Sequence, residues 1–174
     1  MQLSINSGNT VYVIDTSALI ILDFTFKYDN PVFKAIWEEI EELIGQGSFR
    51  TIDFVEDEIN SYQGNEEFIK KWIKKWKKQL IVETDANCIN EAIPIINDQY
   101  TTGFFDSKKL AAGKDEADPY LISYCKINNC TLITCESKVK PNKMPAVAKK
   151  YGVKCIDINE FLMERELKME RKKR

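Results

Sequence analysis

Short apolar, β-branched runs alternate with amphipathic helical stretches along nearly all of this 174-residue chain, and that alternation limits its possible folds more than any single motif does. The runs are Val11–Asp15, Phe49–Ile52, Leu80–Thr84, Thr131–Glu136 and Val153–Ile156, and each is separated from the next by at least one helical pattern. Parallel strands need a crossover of a dozen residues or more, usually a helix, whereas antiparallel neighbours need only a tight turn. The expected fold class is therefore α/β, with a mainly parallel central sheet covered by helices on both faces. No internal repeat and no linker divides the chain, so residues 1–174 read as a single domain with its core at about 11–160 and a charged helix or tail at 159–174.

The helical stretches carry their own boundary signals. After Asn30-Pro31, Phe33, Ile36, Trp37, Ile40, Leu43 and Ile44 recur at helical spacing, Glu38, Glu39, Glu41 and Glu42 face away, and Gly45 and Gly47 end the pattern. Glu66 to Leu80 is strongly amphipathic, with Phe68, Trp72, Trp76 and Leu80 four apart and six lysines between positions 70 and 78. A further helix spans about Ala86 to Ile96. It gives way to Asn97–Gly113, a polar stretch with a Phe104-Phe105 pair, and a loop of that length in a compact domain is often functional. Asp118-Pro119 opens another helix, a short one lies near Val147, and the last starts at Asn159.

Composition excludes several chemistries. The chain has no histidine, which removes Ser-His-Asp and Cys-His catalysis and every histidine-containing zinc site. Its five cysteines form no Cys-x-x-Cys pair and suit a reducing compartment. No apolar run approaches the ~20 residues that span a bilayer, and the start lacks a signal-peptide pattern, so a cytoplasmic protein without a membrane partner is expected. A net charge of −2 provides no bulk positive field for nucleic acid.

Chemistry then falls to carboxylates, hydroxyls and lysines. The first run halts on Asp15, followed by Thr16 and Ser17, and ligands of open α/β sheets gather outside the carboxyl ends of the strands. Glu136 ends its run two residues after Thr134 in the same design. Asp115 and Asp118, three apart, share the start of the helix before that run, and Glu58 follows Val55 by three on one helix face. Taken singly, Asp15 reads as well as a cap or turn residue, and Glu58, Asp118 and Glu136 read better as a solvated charge, a helix cap and a turn residue. Their joint placement at the ends of elements identified without them is what points to a shared site.

Two carboxylates ~5 Å apart repel by about 3 kcal/mol at an effective dielectric of about 20. Four converging acids thus call for cations or protons, and hard oxygen donors select Mg²⁺ or Mn²⁺. Such ions, one or two, suit chemistry on a phosphodiester.

The pieces Val13-Ile-Asp15-Thr-Ser17, Val55-Glu-Asp-Glu58-Ile59, Asp118-Pro-Tyr-Leu-Ile122 and Leu132-Ile-Thr-Cys-Glu136 occur in this order within residues 11–160. In this the chain resembles the PIN-domain nucleases, and most closely an uncharacterised PIN-like bacterial branch related to VapC-type toxins. The resemblance implies a three-layer α/β/α sandwich and Mg²⁺- or Mn²⁺-dependent RNA cleavage by the toxin of a toxin–antitoxin pair. It also implies an antitoxin protein as partner and is compatible with a homo-oligomer. It assigns Asp15, Glu58, Asp118 and Glu136 to the catalytic and metal site, with Asp115 as an additional candidate and Ser17 and Thr134 in support. Glu136 stands where the family more usually has Asp, and Pro119 follows Asp118.

Lys70, Lys71, Lys74 and Lys75 have the chemistry to grip an RNA backbone, but a solvated helix face accounts for them better. Two alternatives stay open. One is a phosphatase with Asp15 as nucleophile, although the usual Asp-x-Asp is broken by Ser17; the other is a degenerate PIN-like module that binds RNA or protein without cutting.

Overall fold

The five apolar runs form one sheet in the computed structural model, which describes residues 10–64, 67–98 and 116–167. Its strands are β1 (Tyr12–Ile14), β2 (Phe49–Ile52), β3 (Ile81–Val82), β4 (Thr131–Ile133) and β5 (Cys155–Ile156), in the spatial order β3-β2-β1-β4-β5. Every pairing is parallel, with Tyr12 opposite both Phe49 and Thr131, and Ile14 opposite Ile133. Among the described residues the sheet is thus wholly parallel. All three residues of β1 and of β4 are buried, as strands covered on both faces must be.

The helices are α1 (Thr16–Thr25), α2 (Lys34–Gly45, entered through a 3₁₀ turn at Pro31–Phe33), α3 (Asp53–Ser61) and α4 (Glu67–Leu80). They continue as α5 (Ala86–Ile96), α6 (Asp118–Asn128), α7 (Met144–Lys150) and α8 (Ile158–Glu164). α2 stops as its glycines predict. Gly47 takes φ 72°, and the N–H groups of Ser48 and Gly47 close back onto Leu43 and Ile44 at 2.8 and 3.0 Å. Trp37, Phe49 and Phe161 are among the largest fully buried side chains, each stabilising the fold by roughly 1.5–3 kcal/mol. Phe161 meets Tyr12 and Phe49 edge-on at 5.0 and 5.7 Å, which holds α8 to β1 and β2.

Two expectations are corrected. Several strands are shorter than their apolar runs, and Asp15, Thr84 and Thr134 lie just past the strand ends, where their side chains make hydrogen bonds. Glu41 does not face solvent: it accepts the indole N–H groups of Trp72 and Trp76 at 3.0 and 3.1 Å and pairs with Lys75 at 3.3 Å, tying α2 to α4. Burial alone would raise its carboxyl, but these donors outweigh it and hold it below the usual range. Most of the Asn97–Gly113 stretch and the end of the chain lie outside the described residues. Among the described residues, no helix is long and apolar enough to cross a membrane.

The topology fixes where chemistry belongs. The chain moves outward from β1 through β2 to β3, then returns to β1's other side for β4 and β5. Strand order therefore reverses between β1 and β4, and the crevice outside their carboxyl ends is the natural ligand site of such a sheet.

Candidate active site

Asp15 lies at that reversal. It leaves β1 in an extended conformation, caps α1 by accepting the Ala18 N–H at 2.6 Å, and is 3% exposed. Ser17 donates its hydroxyl to the same carboxylate at 2.9–3.0 Å, and Thr134, at the end of β4, donates across the crevice at 2.5 Å. The capping role and the site role of Asp15 coincide. Burial pushes its carboxyl up; the donors from Thr134, Ala18 and Ser17 pull it back; the charge of Glu136 adds to the rise. The balance is a pKa of about 6.

Glu58 reaches the crevice from α3. Val55, one turn earlier, is fully buried and fixes the helix face. One Glu58 oxygen accepts the Thr16 hydroxyl and the other the Ala117 N–H at 3.2 Å, so this carboxylate joins the start of α1 to the entry of α6. Phe54 and Tyr120 stack at 4.1 Å with planes 7° apart, clamping α3 to α6. Glu56 turns instead to Lys77 at 2.8 Å.

Asp118 is the first residue of α6, and its carboxylate does not cap the helix: the cap position is Ala117 and no side-chain bond is made there. Among the described residues no hydrogen-bond donor meets this carboxylate. Burial, followed by the charges of Asp15, Glu136, Glu58 and Glu116, holds its carboxyl well above the ordinary range.

Glu136 follows β4, and its charge is felt by both Asp15 and Asp118. Its own oxygens are engaged elsewhere, one by Lys143 Nζ at 2.8 Å and the other by the Met144 N–H at 2.8 Å. Ser17 and Thr134 also accept backbone N–H groups from Cys135 and Glu136, each at 3.2 Å, which locks the β4 exit onto the β1 exit.

Asp15, Glu58, Asp118 and Glu136 are thus brought into one electrostatic neighbourhood, while Asp115 lies outside the described residues. Among the described residues, no three acids or cysteines already converge as a finished ligand set. Their chemistry nevertheless fits a hard divalent cation: the donors are carboxylate oxygens, they repel one another, and that of Asp118 is unanswered. Asp15, Glu58 and Asp118 are the side chains that could hold such an ion.

Of the lysines, Lys70 donates to the Tyr62 carbonyl at 2.8 Å, Lys71 pairs with Glu67 and Lys75 with Glu41. Lys74 has no such partner among the described residues and lines the groove along α3 and α4. Two contributors were not legible in the sequence: Thr16 as the group that holds Glu58, and Lys143. The first is hinted at by a hydroxyl beside Asp15; the second lies in a polar turn, Lys140-Pro-Asn-Lys143, that carries no chemical signature.

Fold and site define a doubly wound α/β domain with an acidic crevice at its switch point, the architecture that the PIN resemblance implies. The chain belongs to the family described as a domain of unknown function, DUF4411, which matches residues 12–169. No curated protein matches it. Among solved structures it is similar to PAE2754 from Pyrobaculum aerophilum, with a TM-score of 0.47 at 12% identity over 91% of this chain and 98% of that one. It is also similar to a chain of FitAB bound to an IR36 DNA fragment (TM-score 0.49, 12% identity, 84% and 94%). A third is in VapBC2 from Rickettsia felis bound to a DNA fragment from its promoter (TM-score 0.47, 13%, 85% and 98%).

Proposed function

We propose that this chain is an Mg²⁺- or Mn²⁺-dependent endoribonuclease, the toxin of a toxin–antitoxin pair, acting on cytoplasmic RNA and restrained by an antitoxin protein. The observation that carries the reading is Asp118, a carboxylate at the switch point that meets no donor among the described residues and is crowded by Asp15, Glu58 and Glu136. The order of the four acidic motifs supports the assignment to RNA cleavage and to an antitoxin-controlled toxin.

When bound, the ion would lower the pKa of the attacking water and neutralise charge on the phosphodiester. The chain's own part is preparation. Ser17, Thr134 and the Ala18 N–H fix Asp15 in one orientation, and Thr16 and the Ala117 N–H do the same for Glu58. A carboxylate left without a donor is free to bind, which suits Asp118 to be the acid that gains most from a cation.

Use of Asp15 as a phosphatase nucleophile is disfavoured, because Ser17 stands where the usual Asp-x-Asp pattern has its second acid. The decisive experiment expresses wild type and Asp15→Asn side by side in a bacterial host, scoring growth and RNA integrity, and then incubates each purified protein with RNA in Mn²⁺ or in EDTA. Arrest and cleavage by the wild type alone, abolished by EDTA, are expected. Phosphate trapped on Asp15, or RNA bound without cleavage in any metal, would overturn the reading.

A further inference from the structure

The fourth acid is the anomaly of the crevice. Among the described residues, Asp15 and Glu58 are held by neutral donors and Asp118 by none, yet Glu136 carries a full counter-charge, the Lys143 ammonium at 2.8 Å. The Lys143 side chain is 37% exposed, but its backbone is fixed. It sits at the cap position of α7; its carbonyl accepts the Ala146 and Val147 N–H groups at 3.0 and 3.2 Å, and the next residue, Met144, is fully buried. Because Met144 N–H also holds the second Glu136 oxygen, the carboxylate and the ammonium are oriented by the same two consecutive residues. The ammonium also feels the charges of Asp118 and Glu116.

We propose that Lys143 is a built-in cation of this crevice. Its ammonium takes the place beside Glu136 that a second divalent ion would otherwise fill, so the crevice binds one such ion through Asp15, Glu58 and Asp118. Glu136 is then a positioning residue that seats Lys143, not a ligand. The proposal rests on the metal-dependent reading above. Its physical basis is charge: an acid whose charge is already answered by an ammonium gains little from a further cation, whereas Asp15, Glu58 and Asp118 pair with no cation among the described residues.

The test is Mn²⁺ binding to the full chain by calorimetry, with bound and free ion counted independently by electron paramagnetic resonance. Wild type is expected to bind one ion. Asp118→Asn should weaken binding at least about tenfold, whereas Glu136→Gln should change it by less than about threefold, since only the former removes a ligand. Lys143→Met, which keeps the aliphatic stem, should tighten binding at least about tenfold or admit a second ion, because it frees the Glu136 charge. The Lys143→Met/Glu136→Gln double variant should return to wild-type behaviour.

A Glu136→Gln protein as weak as Asp118→Asn, or a Lys143→Met protein that binds as wild type does, would overturn this proposal while leaving the nuclease reading intact. A wild type that binds no Mn²⁺, or an Asp15→Asn protein that binds it unchanged, would overturn both. Should Lys143→Met not fold, the Glu136→Gln and Asp118→Asn pair still decides.

Discussion

Asp15 and Asp157 are locally the same residue twice. Each directly follows a strand, in Ile-Asp sequence, with extended backbone angles of −86°, 171° and −96°, 176°. Each caps the helix that follows, accepting the N–H three residues on, from Ala18 at 2.6 Å and Glu160 at 2.9 Å. Their electrostatics are opposite. Asp157 pairs with Lys138 at 2.7 Å and shares a reciprocal capping box with Glu160; burial pushes its carboxyl up, but Lys138 and the Glu160 N–H outweigh that and hold it below the usual range. Asp15 pairs with no cation among the described residues, is buried, and is driven up to about 6. The same strand-then-acid motif therefore serves structure at the edge of the sheet and collects uncompensated charge at its switch point, and topology is what separates the two.

The comparison breaks most visibly in activity. Asp15→Asn and Asp118→Asn should each lower Mn²⁺-dependent RNA cleavage, measured as kcat/KM, by more than about 100-fold, exceeding the 10- to 100-fold cost of losing a group that merely orients a ligand. Asp157→Asn, which preserves a good cap, should cleave within about twofold of wild type. Equal losses at positions 15 and 157 would mean that the acid at the switch point is only a cap.

Stability sharpens the contrast. Because the folded carboxyl of Asp15 lies at about 6 against 3.8 in the unfolded chain, it favours the fold fully below about pH 4, and that contribution is lost as the pH rises through 6. A shift of about two units corresponds to about 3 kcal/mol, so metal-free Asp15→Asn should be more stable than wild type above pH 6 by up to that amount in urea titrations. Added Mn²⁺ should erase the difference, raising the Tm of the wild type more at pH 8 than at pH 5, since the ion needs the ionised carboxylates. A wild-type stability that climbs from pH 5 to 8 without metal would contradict this account.

The donors to each acid give a finer test. Thr134→Val removes an O–H that favours the charged form of Asp15, and a hydrogen bond to a charged group is worth about 1.5–3 kcal/mol, so the pH midpoint of Mn²⁺ affinity should move upward by about one unit. Lys138→Met should leave that midpoint in place while raising the Asp157 titration seen by NMR. If Thr134→Val leaves the midpoint unchanged, the contact across the crevice does not govern Asp15.

Much of this was legible beforehand because it depends on local pattern. The five strands, the Ala86–Ile96 helix and the α2 stop follow from apolar periodicity and glycine, and the acids at the ends of β1 and β4 could be read from the same runs. What escaped depends on partners distant in sequence. Glu41 looked like one of four outward glutamates until two tryptophans from α4 met it. Asp118 reads as a cap because it precedes a proline, whereas the helix starts at it and its carboxylate makes no capping bond. Lys143 carried no signal because its meaning comes entirely from the Glu136 it faces.

The smallest expected effect lies at the structural member of the pair. Asp157→Ala removes the acceptor for the Glu160 N–H and the partner of Lys138, but Glu160 still reaches Lys138 and the Asp157 N–H, so the capping box is only half dismantled. A lost cap of this kind costs about 1 kcal/mol. Since the folded carboxyl lies below its unfolded value, the stability it provides is present at neutral pH and lost as the pH falls through the acidic range, the reverse of Asp15. Urea titrations should therefore show Asp157→Ala less stable than wild type at pH 7 and the gap narrowing toward pH 3. A gap that widens on acidification would show that Asp157, like Asp15, is buried against its charge, and the contrast between the two strand ends would fail.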